Sequence, residues 1–169
     1  ESLKVLTFGL FLIDVELDGD LDLFVVNGHI QVEHESDNSE FQFRQLPQLF
    51  INNDNGIFNL FRGSENSVFN KPIVGRGTAF ADYDKDGDLD ILITENGGSV
   101  HLWRNDLFNA SKSPKNNYLR VELQGSISNR DGIGSLIELF VGDKKLSHRI
   151  RTGSSYLSQS EKVATFGLS

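Results

Sequence analysis

Asp82-Tyr83-Asp84-Lys85-Asp86-Gly87-Asp88-Leu89-Asp90 puts five acids into nine residues, with glycine in sixth place and an apolar run, Ile91-Leu92-Ile93-Thr94, directly behind it. Asp14-Val15-Glu16-Leu17-Asp18-Gly19-Asp20-Leu21-Asp22 repeats the pattern and leads into Leu23-Phe24-Val25-Val26. Short carboxylates at alternate positions of a tight loop can all turn inward. That arrangement suits Ca2+, a hard cation taking roughly six to eight oxygen ligands.

In the second run Asp82, Asp84, Asp86 and Asp90 hold positions one, three, five and nine, and Asp88 at position seven offers its backbone carbonyl. Gly87 permits the sharp turn between them. An EF-hand begins the same way but needs a bidentate Glu at position twelve, between two helices. Here position twelve is Ile93, within a strand-forming run. The loop therefore belongs in a β-hairpin, with Asp90 closing the site. A solvated turn without metal is the competing reading, and the mutual repulsion of five carboxylates weighs against it. In the first run Asp14, Glu16, Asp18 and Asp22 are the counterparts, with Asp20 at position seven. Glu16 is one methylene longer than Asp, so the fit of a second Ca2+ is looser. The side chains of Asp20 and Asp88 are expected to face solvent or to cap the turn.

Aligning the two runs exposes a longer repeat. Leu6 to Ile13 precedes the first and Gly75 to Ala81 the second; a β-branched strand follows each, ending Asn27-Gly28 and Asn96-Gly97-Gly98. Gln48-Leu49-Phe50-Ile51-Asn52-Asn53-Asp54 then matches Val100-His101-Leu102-Trp103-Arg104-Asn105-Asp106, which pairs Asn53 with Asn105 and leaves about sixteen extra residues in the first copy. They fall in a polar stretch, about 29–45, that reads as a surface insertion. Asn55-Gly56 and Ile57 to Phe61 add a hairpin turn and a fourth strand. Four antiparallel strands per unit point to a β-propeller blade. The Asn-, Ser- and Lys-rich segment before Asn117 reads as a linker, placed at 112–117 between the blades (1–111) and a second β unit (118–169). In that unit Leu119, Val121 and Leu123 alternate with Arg120 and Glu122, predicting one buried and one wet face. Ser135 to Val141 and Lys144 to Arg151 predict a hairpin closed at Gly142-Asp143.

Composition narrows the function. Ten of the 24 acids lie in the two runs and the other fourteen face 16 Lys and Arg, so the net charge of −8 is local. Local carboxylate argues for a cation and against nucleic acid. No apolar run is long enough to insert in a membrane, and the absence of cysteine leaves the redox compartment open. The chain opens within a strand-like segment and without Met, so it reads as an excerpt.

The residues Phe80-Ala81-Asp82 through Asp90-Ile91, with Leu23-Phe24-Val25-Val26-Asn27-Gly28-His29-Ile30, resemble FG-GAP or VCBS-type repeats. Ser128-Asn129-Arg130-Asp131-Gly132-Ile133-Gly134, Arg151 to Ser160 and Phe166-Gly167-Leu168 resemble the ASPIC/UnbV domain that such repeats carry in cartilage acidic protein and its bacterial relatives. The resemblance implies an all-β chain of two integrin-like propeller blades followed by a small β domain, incomplete where it stops at Ser169. It implies Ca2+ loops between the first two strands of each blade, further blades upstream, and export from the cell. Val15 and Glu16 depart from the family's usual aromatic and Asp.

Two classes of function are compatible with this pattern. One is a Ca2+-stabilised extracellular module recognising a protein or glycan. The other is a propeller enzyme or biosynthetic accessory protein acting on a carbohydrate or secondary metabolite. Ser154, Ser155, His148 and Asp143 are triad residue types, but no Gly-x-Ser-x-Gly elbow frames them. His29 and His34 with Glu33 and Glu35 read as a solvated loop before a metal site, and Arg130-Asp131 as part of a tight turn before an anion site. No catalytic constellation emerges, and the binding module is preferred.

Overall fold

A computed structural model describes residues 4–31, 42–53, 56–106 and 116–168. Strands β1 (Thr7–Ile13), β2 (Asp22–Asn27), β3 (Gln48–Asn52) and β4 (Phe58–Phe61) form one antiparallel meander in the order β1-β2-β3-β4. Strands β5 (Gly75–Ala81), β6 (Asp90–Glu95) and β7 (His101–Trp103) form a second. The chain is all-β, and both sheets are antiparallel meanders, of four and of three strands. Each acidic run is the connection of a first hairpin: Ile13 faces Asp22 across one loop and Ala81 faces Asp90 across the other.

The register corrects the repeat. Leu23 and Phe24 face Phe50 and Leu49, whereas Ile91 and Leu92 face Trp103 and Leu102. Asn52, not Asn53, is therefore the partner of Asn105, and the first copy carries fifteen extra residues, its Asp14-to-Asn52 spacing being 38 against 23 for Asp82 to Asn105. Strand pairing decides this, because a one-residue slip would turn every side chain of β3 to the wrong face. The interior of the insertion, 32–41, lies outside the described residues, as do Asn55, His34, Glu33, Glu35 and most of the linker. Its C-terminal end is pinned: Gln45 and Ile73 exchange backbone hydrogen bonds at 2.8 and 3.0 Å. Arg44 also meets the buried Glu95 at 2.7 Å.

Phe11, Ile13, Phe24, Val26 and Leu49 of the first sheet pack with Ile91 and Ile93 of the second, forming the core between them. A 3-10 turn, Val68–Asn70, capped by Ser67, delivers Phe69 against Trp103 with ring centres 5.5 Å apart. Strong alternation along β1 buries Phe11 and Ile13 and leaves Leu10 and Leu12 outside.

The C-terminal unit pairs β8 (Tyr118–Val121) with β11 (Ala164–Gly167), and β9 (Leu136–Val141) with β10 (Lys144–Arg149). Gly142 opens the expected hairpin turn at φ +58°. Ile150, Ala164 and Phe166 centre its own small core, with Val121, Leu123 and Leu146 packed against them. The wet face predicted for Arg120 is corrected: its side chain is only 23 % exposed and is turned into the second blade. The segment from Ser155 to Glu161 runs along the free edges of β1 and β5. Leu10 N–H donates to Ser155 Oγ at 3.1 Å, Phe80 N–H donates to Ser160 Oγ at 3.1 Å, and Glu161 N–H donates to Phe80 O at 3.0 Å. Edge groups that the blades leave open are thus partly met from the second unit.

Candidate metal centre

Both loops trace one backbone path. Position four is left-handed in each, Leu17 at φ 57° and Lys85 at φ 63°, and so is the glycine at position six, Gly19 at 87° and Gly87 at 99°. Position five caps position seven in both: Asp20 N–H donates to Asp18 Oδ1 at 2.9 Å, and Asp88 N–H to Asp86 Oδ1 at 3.2 Å. Position nine ties the start of the loop to the C-terminal end of the third strand, in β3 for the first loop and just beyond β7 for the second. Asp22 accepts from Val15 N–H at 2.9 Å and Asn52 N–H at 2.8 Å, and Asp90 from Tyr83 N–H at 3.1 Å and Asn105 N–H at 2.9 Å. The sequence places Asp90, with Asp22 as its counterpart, as the residue closing a cation site; what the structure shows is both carboxylates stapling the backbone of their loops.

Position one divides the loops. In the first, Asp14 turns inward: Oδ1 accepts from Asp18 N–H at 3.0 Å, and Oδ2 from Gly19 N–H at 2.9 Å and from Gly167 N–H of β11 at 3.1 Å. In the second, Asp82 Oδ2 is held by Arg120 Nη1 at 2.5 Å, while Asp82 Oδ1 is buried and accepts no hydrogen bond among the described residues. There Asp82, Asp84 and Asp86 each present a carboxylate oxygen, all within 4.8 Å of one another. Among the described residues no other group of three or more His, Asp or Glu converges so closely. Asp14, Glu16, Asp18 and Asp22 remain in one loop without that convergence. Asp90 stands beside the cluster, held by its two N–H donors.

Crowded carboxylates in a partly dry setting resist ionisation. Burial raises Asp90, with Asp84 and Asp86 adding repulsion against the two stabilising N–H bonds. Burial also raises Asp22, lifts Asp14 to about 6, and with Asp22 and Asp18 nearby pushes Glu16 up to about 8. Glu16 Oε2 is buried and accepts no hydrogen bond among the described residues.

The first loop is also the more deeply covered. Val15 and Leu17 are buried where Tyr83 and Lys85 are exposed, so the departure at Val15 has a packing cause. Asn105 donates to Val15 O at 3.1 Å, Asn116 donates to Glu16 O at 3.0 Å, and Gly167 lies so close that a Cβ there would come within 2.2 Å of Leu17 C. The solvent-facing reading of Asp20 and Asp88 is corrected in both. Asp20 meets Lys144 Nζ at 3.1 Å, and Asp88 is fully buried beside Gly87, against which the Tyr118 ring closes. The sequence carried no local signal for this cover, because Tyr118, Arg120, Lys144 and Gly167 come from another unit.

A cavity of about 650 Å³ opens between the first loop and β10, lined by Asp14, Asp20, Lys144, Arg149, Glu161 and Lys162 among others. Two of its lysines are engaged with acids, Lys144 with Asp20 and Lys162 with Asp131. That second pair also places Asp131, with Asn129 Oδ1 accepting from Ile133 N–H at 2.7 Å, in a structural turn. Ser155 sits on the edge of β1, and His148 lies against the Phe166 ring, its pKa lowered by burial and by Arg151.

Residues 14–93 match the FG-GAP-like repeat family, and residues 125–169 match the ASPIC and UnbV family. Among curated proteins, no sequence matches the chain.

Proposed function

We propose that this chain, which joins an FG-GAP-like repeat segment to an ASPIC and UnbV domain, is a calcium-binding extracellular interaction module in which the cation rigidifies the first hairpin of each blade. The observation that supports it most is the second loop: three converging carboxylates and a buried Asp82 oxygen with no hydrogen-bond donor among the described residues. All-oxygen donors of this kind suit a hard divalent cation. Asp82, Asp84, Asp86 and Asp90, with the backbone carbonyl of Asp88, would hold it; Asp14, Glu16, Asp18 and Asp22, with Asp20 at position seven, are their counterparts for a second ion. A bound cation supplies the counter-charge that the raised carboxylate pKa values call for. FG-GAP repeat families are generally non-catalytic, and both families are typically extracellular. No helix among the described residues is long and apolar enough to cross a membrane. The partner of such a module is a protein or glycan.

Thermal melting in Ca2+ against chelator tests the metal. Ligand bound by the folded state alone raises the midpoint, with affinity in the roughly 0.1–1 mM range of extracellular modules. Asp86→Ala should remove most of that rise. An unchanged midpoint in the parent protein rejects the reading, and a glycan array or pull-down then identifies the partner if the metal holds.

A further inference from the structure

Arg120 reaches the second loop from β8, and its three guanidinium nitrogens do different work. Nη1 donates to Asp82 Oδ2 at 2.5 Å, whereas Nη2 spans both oxygens of Glu161 at 2.7 and 2.6 Å. Nε donates to Thr165 Oγ1 at 3.3 Å, on the strand residue that faces Arg120 across the β8–β11 pair. Glu161 is itself tied to the blade through its backbone N–H on Phe80 O at 3.0 Å. Asp82 and Glu161 are 1 % and 16 % exposed at their side chains, so this chain of charges lies in a poorly solvated seam between the blade and the C-terminal unit.

We infer that Arg120 is a positioning residue that couples cation binding at the second loop to seating of the C-terminal unit, an inference that rests on the calcium reading above. Asp82 divides its oxygens: Oδ2 belongs to Arg120, and Oδ1 is buried and accepts no hydrogen bond among the described residues, in a carboxylate that belongs to the Asp82, Asp84 and Asp86 cluster. Arg120 therefore fixes the carboxylate without consuming the oxygen left for the cation. A cationic neighbour would ordinarily oppose a divalent ion, but Glu161 balances the guanidinium, both its carboxylate oxygens accepting charge-assisted bonds from Nη2. The seated unit thus brings position with little net charge. Preorganising a ligand raises affinity by removing the cost of ordering it on binding. By reciprocity, the cation that gains from the seated unit must hold that unit more firmly in return.

The test combines calorimetric Ca2+ titration with hydrogen exchange of β8 and β11 on the whole chain. Arg120→Gln should bind Ca2+ about fivefold more weakly or worse, at the lower end of ordinary coupling. Ca2+ should slow exchange in β8 and β11 of the parent and lose that effect in the variant. Glu161→Gln keeps Arg120 but leaves its charge unbalanced, and it should also weaken binding; it carries the test alone if Arg120→Gln does not fold. Parent-like or tighter binding in the folded variants, or exchange in β8 and β11 that ignores Ca2+ in the parent, overturns the coupling while leaving the calcium reading intact. A parent that binds no Ca2+ overturns both.

Discussion

Asn105 donates its backbone N–H to Asp90 Oδ1 at 2.9 Å, joining the start of the segment after β7 to the end of the acidic loop. The other oxygen of Asp90 takes Tyr83 N–H at 3.1 Å, so one carboxylate serves two backbone donors. Asp90→Ala should therefore lower stability even in chelator, by about 1–3 kcal/mol, because two part-buried N–H groups lose their acceptor. Asp84→Ala touches no such donor. It should leave chelator stability unchanged or slightly higher while removing most of the response to Ca2+. Equal losses in chelator for both variants would show that scaffold and ligand roles are not separated as described.

Gly167 has no room for a side chain, with Asp14 Oδ2 2.4 Å and Leu17 C 2.2 Å from the position of a Cβ. Gly167→Ala should cost about 1–3 kcal/mol by overpacking and loosen β11 from the first loop. Limited proteolysis would detect it as earlier cutting between the blades and the C-terminal unit; parent-like digestion would contradict the contact.

Equivalent positions of the two loops should respond differently to truncation. Leu17 is fully buried and Lys85 is exposed. Leu17→Ala should cost about 2–4 kcal/mol in denaturant titration, and Lys85→Ala should stay within about 0.5 kcal/mol of the parent. Similar effects at both positions would mean the first loop is not covered.

Without metal, pH should act through the first loop. Asp14 at about 6 and Glu16 at about 8 both lie above the ordinary values of 3.8 and 4.5. Groups raised in the folded state stabilise it while protonated, so their contribution is full below about pH 4 and is lost as pH climbs through these two values. In chelator the melting point should fall from about pH 5 to about pH 8.5, and Glu16→Gln should flatten the upper part. With Ca2+ the trend should weaken, since a cation binds the ionised carboxylates. A chelator profile that rises with pH over this window would reject the assignment.

The hairpin setting of the loops was legible because it is written locally: acids at alternate positions, a glycine sixth, and a strand behind. The C-terminal hairpin at Gly142 was legible for the same reason. The pairing of Asn52 with Asn105 was not, since neighbouring asparagines offer the same residue type in either register and only the strand ladder separates them. Arg120 read as solvent-facing because alternation reports which side of a strand a residue occupies, not what covers that side. The burial of Asp88 and Leu17 was hidden likewise, being imposed by residues such as Tyr118 and Gly167, far along the chain.

Tyr118 faces Gly167 across the β8–β11 pair, with the whole β9–β10 hairpin lying between them in the chain. During synthesis the blades, built from hairpins of near neighbours, can close early, whereas this pair must wait for its distant partner to emerge from the ribosome. Until then both acidic loops stand open to ions in the surrounding fluid. The order of events is thus built into the connectivity, with access to the loops preceding their enclosure.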